Sequence, residues 1–254
     1  MRIAIITVAG QSSRFNNGVT EDKKVLKCLY TVTCAEDTLL YRLMDKCSYA
    51  DRIIIVGGYK FDDLCSFYED YLSKEFPSTD LVYNEHYSDL SSGFSLYLGI
   101  KKACEYNPEE ILFVEGDLDI DKGSFGKVVS SSGSVLTINR EPIYSDKAVV
   151  LYKDSCGRYK YAFNSSHGLL KIEESFSCIF NSGQLWKFSD PSALQESCDE
   201  FIIDDINGTN LNIIQKYIDR SAADKINIIC LNRWINCNTR EDYLKILDNW
   251  RNDR

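Results

Sequence analysis

Small polar and cationic side chains gather directly after the first hydrophobic segment of the chain. Residues 3–8 (IAIITV) are followed by Gly10, Gln11, Ser12 and Ser13, and then by Arg14 and a run of lysines. Backbone N–H groups in a short glycine-led turn before a helix can hold phosphate oxygens, and an arginine can pair with a phosphate through two bonds. A plain strand-to-helix connection with solvated cations is the alternative. The spacing matches neither a Walker loop nor a GxGxxG fingerprint.

A second chemical feature is the acidic stretch FVEGDLDID at residues 113–121. A hydrophobic segment runs into Gly116 and then into Asp117, Asp119 and Asp121. An aspartate at a strand end, beside a residue small enough for close approach, suits a Mg²⁺ ion that bridges to phosphates. We therefore predict Asp117 as a metal ligand and Asp121 as a cap of the following turn. An acidic turn in water is the alternative.

A third feature is RWINCNTREDY at residues 233–243. Strand alternation places Asn236 and Asn238 on one face, where their side-chain oxygens can bind a metal ion, although asparagine is also common in turns and caps. Thr239 and Asp242 have the spacing of a capping box at the start of a helix.

Alternating strand and helix signals position these three features. Buried strands are predicted at residues 3–8, 51–58, 80–84 and 109–117, and helices at 38–48, 61–74 and 92–105. Continuous apolar strands that alternate with helices indicate a parallel sheet with helices on both faces. Ligands of such sheets bind at the carboxyl ends of the strands, which is where the turn at residues 10–13 and Asp117 fall.

The second half of the chain has a different pattern. Short strand signals at residues 135–139, 148–154, 159–164, 169–174 and 177–182 predict antiparallel additions to the sheet and a substrate lid. A helix at 207–219, a last strand within 225–239 and a C-terminal helix at 240–250 complete the prediction. The expected fold is a Rossmann-like, three-layer α/β/α domain with a mixed, mainly parallel sheet. We expect one domain over 1–254, with a nucleotide-binding half (1–124) and an acceptor-binding half that includes the C-terminal metal segment (125–254).

Composition limits the classes of partner. The 254 residues carry a formal net charge of -9, so nucleic acid is an unexpected partner, whereas a local cationic pocket for a small anion is compatible with that charge. No apolar run approaches the ~20 residues that a membrane span needs. The ten cysteines form no CxxC pair, and a strand begins at the N-terminus without a signal peptide. We therefore expect reduced thiols and a cytoplasmic protein, with the oligomeric state open between a monomer and a homodimer.

Four segments in order resemble the nucleotidyltransferase superfamily. "VAGQSSRF…DKKVLKCL" resembles the signature loop A-A-G-x-x-x-R-[FLM]…K-x-L, and "EEILFVEGDLDI" is similar to the central strand with the metal-binding Asp. "RWINCNTREDYLK" resembles the late segment W-x-x-[IV]-D-T-x-E-D-[LY]. "VYNEHYSDLSSGFSLYLGIKKA" at 82–103 is similar to the base-binding strand and helix of bacterial phosphocholine and related cytidylyltransferases, and in part to the molybdopterin nucleotidyltransferases.

The resemblance implies a role for particular residues. Arg14 and Lys24 would neutralise the phosphates in catalysis, although Lys23 leaves the choice of lysine open. Asp117 and Asn238 would hold Mg²⁺, with Asn236 as the other candidate. The implied nucleotide-binding residues are Val8, Ala9, Gly10, Gln11, Ser12, Ser13, Asn84, Ser92 and Gly93. The implied acceptor-site residues are Lys147, Glu173 and Trp186.

The implied activity is transfer of a nucleotidyl group, with CTP favoured as the donor, to a phosphorylated or phosphonate small molecule, with release of pyrophosphate. Two alternatives follow from departures from the family pattern. Asp117-Leu118-Asp119 is a D-x-D motif, which is typical of glycosyltransferases with a related fold. Asn238 stands where many members have Asp, which favours a nucleotide-binding protein without catalysis.

Overall fold

The computed structural model describes residues 1–146, 148–164, 168–222 and 225–252. The strands are β1 (Arg2–Thr7), β2 (Arg52–Gly57), β3 (Thr79–Tyr83), β4 (Glu110–Glu115), β5 (Leu118–Ile120), β6 (Ser134–Asn139), β7 (Val149–Asp154), β8 (Tyr159–Phe163), β9 (Phe176–Phe188), β10 (Ile226–Cys230) and β11 (Trp234–Asn236). The helices are α1 (Leu39–Lys46), α2 (Phe61–Phe67, continued by a π-helical turn Tyr68–Leu72), α3 (Ser92–Cys104), α4 (Lys122–Ser130), α5 (Pro191–Asp204), α6 (Asn210–Arg220) and α7 (Arg240–Asn252).

A nine-stranded sheet forms the centre of the fold. Its main path runs β10-β6-β9-β4-β1-β2-β3, and the β7–β8 hairpin joins it through β9. The pairs β4–β1, β1–β2, β2–β3 and β10–β6 are parallel, whereas β9 is antiparallel to β4, β6 and β7. The predicted α/β fold with a mixed, mainly parallel sheet and an antiparallel insertion is therefore confirmed.

Alternating side chains of β1 show why the domain has three layers. Ala4 and Ile6 belong to one core cluster together with α1, α4 and α7, whereas Ile3 and Ile5 belong to a second cluster with α3, α5 and α6. Successive residues of a strand point to opposite faces, so a continuous apolar strand requires helices on both sides. Both faces of the sheet are covered in this way.

The second half differs from the sequence prediction in several elements. The segment 169–174, predicted as a strand, has no regular structure. The strand predicted at 177–182 is part of β9, which continues to Phe188, and α4 and α5 occur where no helix was predicted. The start of α5 carries a recognisable signal, because Asp190 caps the helix through the Ala193 N–H (3.0 Å) and Pro191 occupies the first helical position.

The strand expected within 225–239 is two short strands in different sheets. β10 pairs with β6 in the main sheet, whereas β11 pairs antiparallel with β5. The capping box that starts α7 is confirmed: Thr239 N donates to Asp242 Oδ2 (2.9 Å), and Asp242 N donates to Thr239 Oγ1 (3.2 Å). Asp121 caps α4 as predicted, through the Ser124 N–H (2.8 Å). Within the described ranges, no helix is both long and apolar enough to cross a membrane.

Candidate functional site

A cavity of about 240 Å³ opens at the carboxyl ends of β1, β3 and β4. Its walls are the loop after β1, the segment between β3 and α3, and residues 115–117 at the end of β4. The predicted site residues that line this cavity are Val8, Ala9, Gly10, Ser12, Asn84, Ser92 and Asp117. The topology thus brings together residues from two of the three features that are far apart in the sequence, together with residues of the segment at 82–103.

Polar contacts shape the loop after β1. Ser12 has a left-handed backbone (φ 55°), and its hydroxyl accepts a hydrogen bond from Lys27 N (3.1 Å). The Asn16 amide exchanges two bonds with the backbone of Val25, at 2.8 and 3.1 Å. These contacts bind the loop to the segment that carries the lysines.

The loop leaves backbone donors free. In the described part of the chain, the N–H groups of Gly10, Gln11 and Ser12 donate to no protein acceptor. A side chain built at Gly10 would meet no protein atom within 4 Å, so the space beside this backbone is open. Consecutive free N–H groups beside open space can donate hydrogen bonds to phosphate oxygens.

The lysine that enters the cavity is Lys27. Its Nζ lies 2.6 Å from Asp117 Oδ2, and the two side chains are only 20% and 18% exposed. Lys24 instead pairs with Glu21 at the surface and does not line the cavity, and Lys23 is exposed. The sequence contains the K-x-L spacing twice, at residues 24–26 and again at 27–29, so the signature was also compatible with Lys27.

Four further residues of the loop after β1 and of α3 that were predicted to bind phosphate or nucleotide lie outside the cavity lining. Gln11, Ser13 and Arg14 are exposed on the loop, and Arg14 has no ion pair within the described residues. Gly93 is buried, and a Cβ atom there would collide with the ring of Phe201 and the carbonyl of Gly208. Close packing of α3 therefore explains Gly93 without a contact to a nucleotide.

Oxygen atoms suited to a metal ion occur at the end of β4 and beside β11. Cys237 N donates to the backbone carbonyl of Asp117 (2.7 Å), which brings the late segment to the cavity edge. Asp117 Oδ1, Asn236 Oδ1 and Asn238 Oδ1 are all buried, and none has a hydrogen-bond partner among the residues that the structure describes. Buried oxygens without partners are costly in isolation, and a bound cation would satisfy them.

This donor set fits Mg²⁺. Magnesium prefers oxygen ligands and is commonly held by one or two carboxylates together with substrate phosphates and water. Within the described ranges, no group of three or more His, Cys, Asp and Glu side chains is placed to hold a metal ion, so the protein alone does not form a closed cage. Asp117 with either Asn236 or Asn238 would be a partial site that phosphate oxygens complete.

Asp119 has a structural role that separates it from Asp117. Its carboxylate is fully buried, and it accepts hydrogen bonds from Trp250 Nε1 (2.7 Å) and Arg233 Nε (3.1 Å). Lys46 Nζ lies 3.5 Å from it, and burial lowers the pKa of Lys46. Only the first aspartate of the D-x-D sequence therefore reaches the cavity.

Glu115 is a site residue that the sequence analysis missed. It lines the cavity and accepts hydrogen bonds from Asn210 Nδ2 (2.7 Å) and Gln184 Nε2 (3.0 Å). Burial, and then the charge of Asp117, raise the pKa of Glu115 to about 7. Its two partners come from β9 and α6, and no local spacing in the sequence links them to the end of β4.

The wall formed by β3 and α3 is polar and ordered by hydrogen bonds. Asn84 is buried, its Nδ2 donates to Ser95 Oγ (2.9 Å), and its Oδ1 accepts from His86 N (2.9 Å). Ser92 Oγ accepts from Asn210 N (3.2 Å). This wall presents fixed side-chain dipoles to the cavity.

The predicted acceptor residues Glu173 and Trp186 are not brought together. Trp186 is fully buried, stacks on Phe113 and donates from Nε1 to the Tyr161 hydroxyl (2.7 Å), so it belongs to the core and cannot contact an acceptor. Glu173 lines a second, more open cavity of about 440 Å³ and pairs with Lys171 at 2.8 Å. Lys147 lies outside the described residues.

Residues 23–250 match the family described as Domain of unknown function (DUF6564). The chain belongs to this family. The match includes Lys27, Asp117 and Asn238 and omits most of the loop after β1. No curated protein matches the chain.

Solved structures with little sequence identity share the whole fold. The inositol-1-phosphate CTP transferase from T. maritima is 15% identical, with a TM-score of 0.68 over 98% of this chain and 94% of that one. A candidate glucose-1-phosphate thymidylyltransferase from Bacillus anthracis, in complex with sucrose, is 13% identical, with a TM-score of 0.69 over 100% of this chain and 96% of that one. HddC from Yersinia pseudotuberculosis is 17% identical, with a TM-score of 0.64 over 98% of this chain and 100% of that one. The chain therefore has the nucleotidyltransferase fold that the sequence resemblance implied.

Proposed function

We propose that this protein is a Mg²⁺-dependent nucleotidyltransferase that uses a nucleoside triphosphate and a phosphorylated or phosphonate small molecule. The observation that carries the proposal is the pairing of Lys27 with Asp117 in the cavity that Gly10 and Ser12, with their free N–H groups, also line. A cation, a carboxylate and a phosphate-sized backbone cradle then meet at the end of the central strands. That combination suits an α-phosphate and its leaving group.

Charge repulsion is the chemical problem in this reaction. An oxygen of the acceptor anion forms a bond to the α-phosphorus, while the bond from that phosphorus to the bridging oxygen breaks and pyrophosphate leaves. The acceptor is already anionic, so no strong general base is needed. Lys27 would stabilise the charge that develops in the transition state, and the free N–H groups of the loop would hold the phosphates in line.

Two further groups complete the proposed phosphate site. Mg²⁺, held by Asp117 and by Asn238 or Asn236, would supply Lewis-acid chemistry at the phosphate oxygens. Arg14 is exposed at the edge of the loop and has no ion pair within the described residues, so it is free to approach the β- and γ-phosphates. We propose it as the second cation.

We propose CTP as the preferred donor, with the base near Asn84, Ser92 and Ser95. The buried Asn84–Ser95 pair offers fixed hydrogen-bonding groups of the kind that distinguish one base from another. One structural relative is named as a CTP transferase and another as a candidate thymidylyltransferase, so the fold serves more than one base and the test requires all nucleotides.

The acceptor site is proposed to lie on the side of the cavity toward residues 125–254. Acceptors worth testing include phosphocholine and 2-aminoethylphosphonate, which the sequence resemblance favours. Inositol 1-phosphate and glucose 1-phosphate are added because they occur in the names of structural relatives. The ten unpaired cysteines are compatible with the cytoplasm as the proposed location.

Pyrophosphate release tests the proposal. The purified protein is incubated with each nucleoside triphosphate, Mg²⁺ and each acceptor, and the conjugate is identified by mass spectrometry. We expect pyrophosphate and a nucleotide–acceptor conjugate from one donor, and no turnover by Asp117→Ala although the fold is intact by circular dichroism. Sugar transfer from a nucleotide-sugar would instead support the glycosyltransferase alternative, and nucleotide binding without turnover on any acceptor would support the non-catalytic one.

A further inference from the structure

A carboxylate without a cationic partner lines the cavity next to the proposed phosphate site. Glu115 has no ion pair within the described residues, and its two oxygens are held by the neutral amides of Asn210 and Gln184. Asn210 also lines the cavity. A carboxylate facing a ligand repels phosphate and accepts hydrogen bonds from hydroxyl or amino groups.

The backbone of β9 is distorted in a way that aims Gln184 at Glu115. The β6–β9 register shifts between Leu136, which faces Trp186, and Ile138, which faces Ser182, so β9 carries two extra residues at this point. Gln184 lies within this irregularity and has a left-handed backbone (φ 52°). Bulges of this kind re-aim side chains and are frequent next to functional sites.

The distortion is supported by its surroundings. Thr137 Oγ1 donates to the carbonyl of Leu185 (2.7 Å) and accepts from its N–H (3.2 Å), which replaces the interrupted pairing of the strands. A Cβ atom at Gly183 would collide with the side chain of Thr137, so only glycine fits before Gln184. Several residues therefore maintain a backbone that is unfavourable for glutamine.

Glu115 lines the same cavity as the proposed base and phosphate residues Asn84 and Asp117. It is the register partner of Thr7, immediately before the loop that lines the cavity. Asp117 follows Glu115 by two residues at the same end of β4, and Asn84 follows β3 across β1 and β2. A nucleotide that extends from Asn84 to Asp117 would pass Glu115 with its ribose.

We propose that Glu115, held in place by Gln184 and Asn210, accepts a hydrogen bond from a ribose hydroxyl and selects ribonucleotides over deoxyribonucleotides. This inference rests on the proposed function, because it requires a nucleotide in the cavity. Gln184 and Asn210 are positioning residues, since they act through Glu115. A site built to hydrogen-bond a ligand hydroxyl prefers the ligand that carries it, because the buried carboxyl oxygen is left unpaired by the analogue without it.

A comparison of how tightly CTP and its deoxy analogues bind tests the inference without any acceptor. Dissociation constants are measured by calorimetry for CTP, 2′-deoxy-CTP and 3′-deoxy-CTP, with Mg²⁺ present. We expect the wild-type protein to bind CTP roughly tenfold or more tightly than at least one deoxy analogue. Glu115→Gln, which keeps the shape and loses the charge, should bring that ratio close to one, because binding of CTP weakens and binding of the deoxy analogue does not.

Two further variants make the test specific. Gln184→Gly suits the left-handed backbone and removes the whole side chain, including the amide that holds Glu115, so it should lower the ratio partway without unfolding the protein. Glu69→Gln, at an exposed site, should leave the ratio unchanged. A merely structural role of Glu115 would weaken all three ligands equally and keep the ratio, which would overturn the inference.

The failure of the inference differs from the failure of the proposed function. Tight CTP binding with an equal affinity for both deoxy analogues, or an unchanged ratio in Glu115→Gln, would overturn only the role of Glu115. If no nucleoside triphosphate bound the wild-type protein in the presence of Mg²⁺, both the proposed function and this inference would be overturned.

Discussion

Replacement of Lys27 by alanine, compared with replacement of Lys24, examines which lysine serves the reaction. Lys27 Nζ lies 2.6 Å from Asp117, with 20% of the side chain exposed, whereas Lys24 pairs with Glu21, whose side chain is 82% exposed. The two variants remove the same side chain three positions apart. They differ only in whether that side chain faces the cavity.

The expected magnitude follows from the surroundings of each lysine. A charge about 4 Å from a phosphate oxygen, at an effective dielectric constant of about 20, is worth roughly 4 kcal/mol, which sets an upper limit near 1,000-fold. Loss of one such stabilising group typically lowers kcat by roughly 100- to 1,000-fold. We expect a decrease of this size for Lys27→Ala. For Lys24→Ala we expect less than about a threefold change, because an exposed charge is screened by water and salt.

The assay is the initial rate of pyrophosphate release, measured over a range of nucleotide and acceptor concentrations. Urea denaturation of both variants provides the control for folding. Lys27→Ala leaves the carboxylate of Asp117 without its cation, so we expect its free energy of unfolding to change by a few kcal/mol at most. A strong loss of activity in Lys24→Ala with little loss in Lys27→Ala would refute the assignment.

Three further predictions concern residues outside the proposed reaction. Asp119→Asn should lower the free energy of unfolding in urea by about 3 kcal/mol, because it leaves the buried Lys46 without its anion. The kcat of the folded variant should change only a few-fold, and a stable but inactive variant would contradict this. Thr239→Ala should lower that free energy by about 1 kcal/mol through loss of the α7 cap, and an unchanged urea midpoint would argue against the cap. Iodoacetamide at pH 8 should label exposed Cys156 rapidly and leave Cys28 unlabelled until the protein is denatured, as followed by mass spectrometry. The reason is that burial raises the pKa of Cys28 to about 12. Rapid labelling of native Cys28 would contradict its burial.

The parallel half of the fold was predictable from local pattern alone. The strands ending at Thr7, Gly57 and Glu115 are apolar on both faces, and the strand ending at Tyr83 lies at the sheet edge. These strands alternate with helices, and that alternation together with the apolar pattern predicts the parallel architecture. The antiparallel half was less predictable because its pairing is non-local. β9 pairs with β4, β6 and β7, so its length depends on strands far away in the sequence.

The candidate site was predictable where a motif and a strand end coincide. Gly10, Ser12 and Asp117 follow apolar strands directly, and all three line the cavity. Lys27 was missed because the K-x-L spacing occurs twice and only the folded loop shows which lysine turns inward. Trp186 was predicted at the acceptor site because an aromatic side chain in a strand suits either a pocket or the core, and only tertiary packing decides between them.

Glu115 shows a second limit of sequence patterns. Its partners are Gln184, which depends on an irregularity in β9, and Asn210, at the start of α6. Each contact joins segments more than 60 residues apart, with separations of 69 and 95 residues. Neither contact has a local signature.

A crystal structure of the protein soaked with CTP and Mg²⁺ tests the central claim most directly. We predict that the triphosphate lies on the N–H groups of residues 10–12 with its α-phosphate beside Lys27. The metal ion should bind Asp117 and one of the asparagines at 236 and 238. A triphosphate bound elsewhere, for example in the second cavity near Glu173, or a metal ion that does not contact Asp117, would contradict the account.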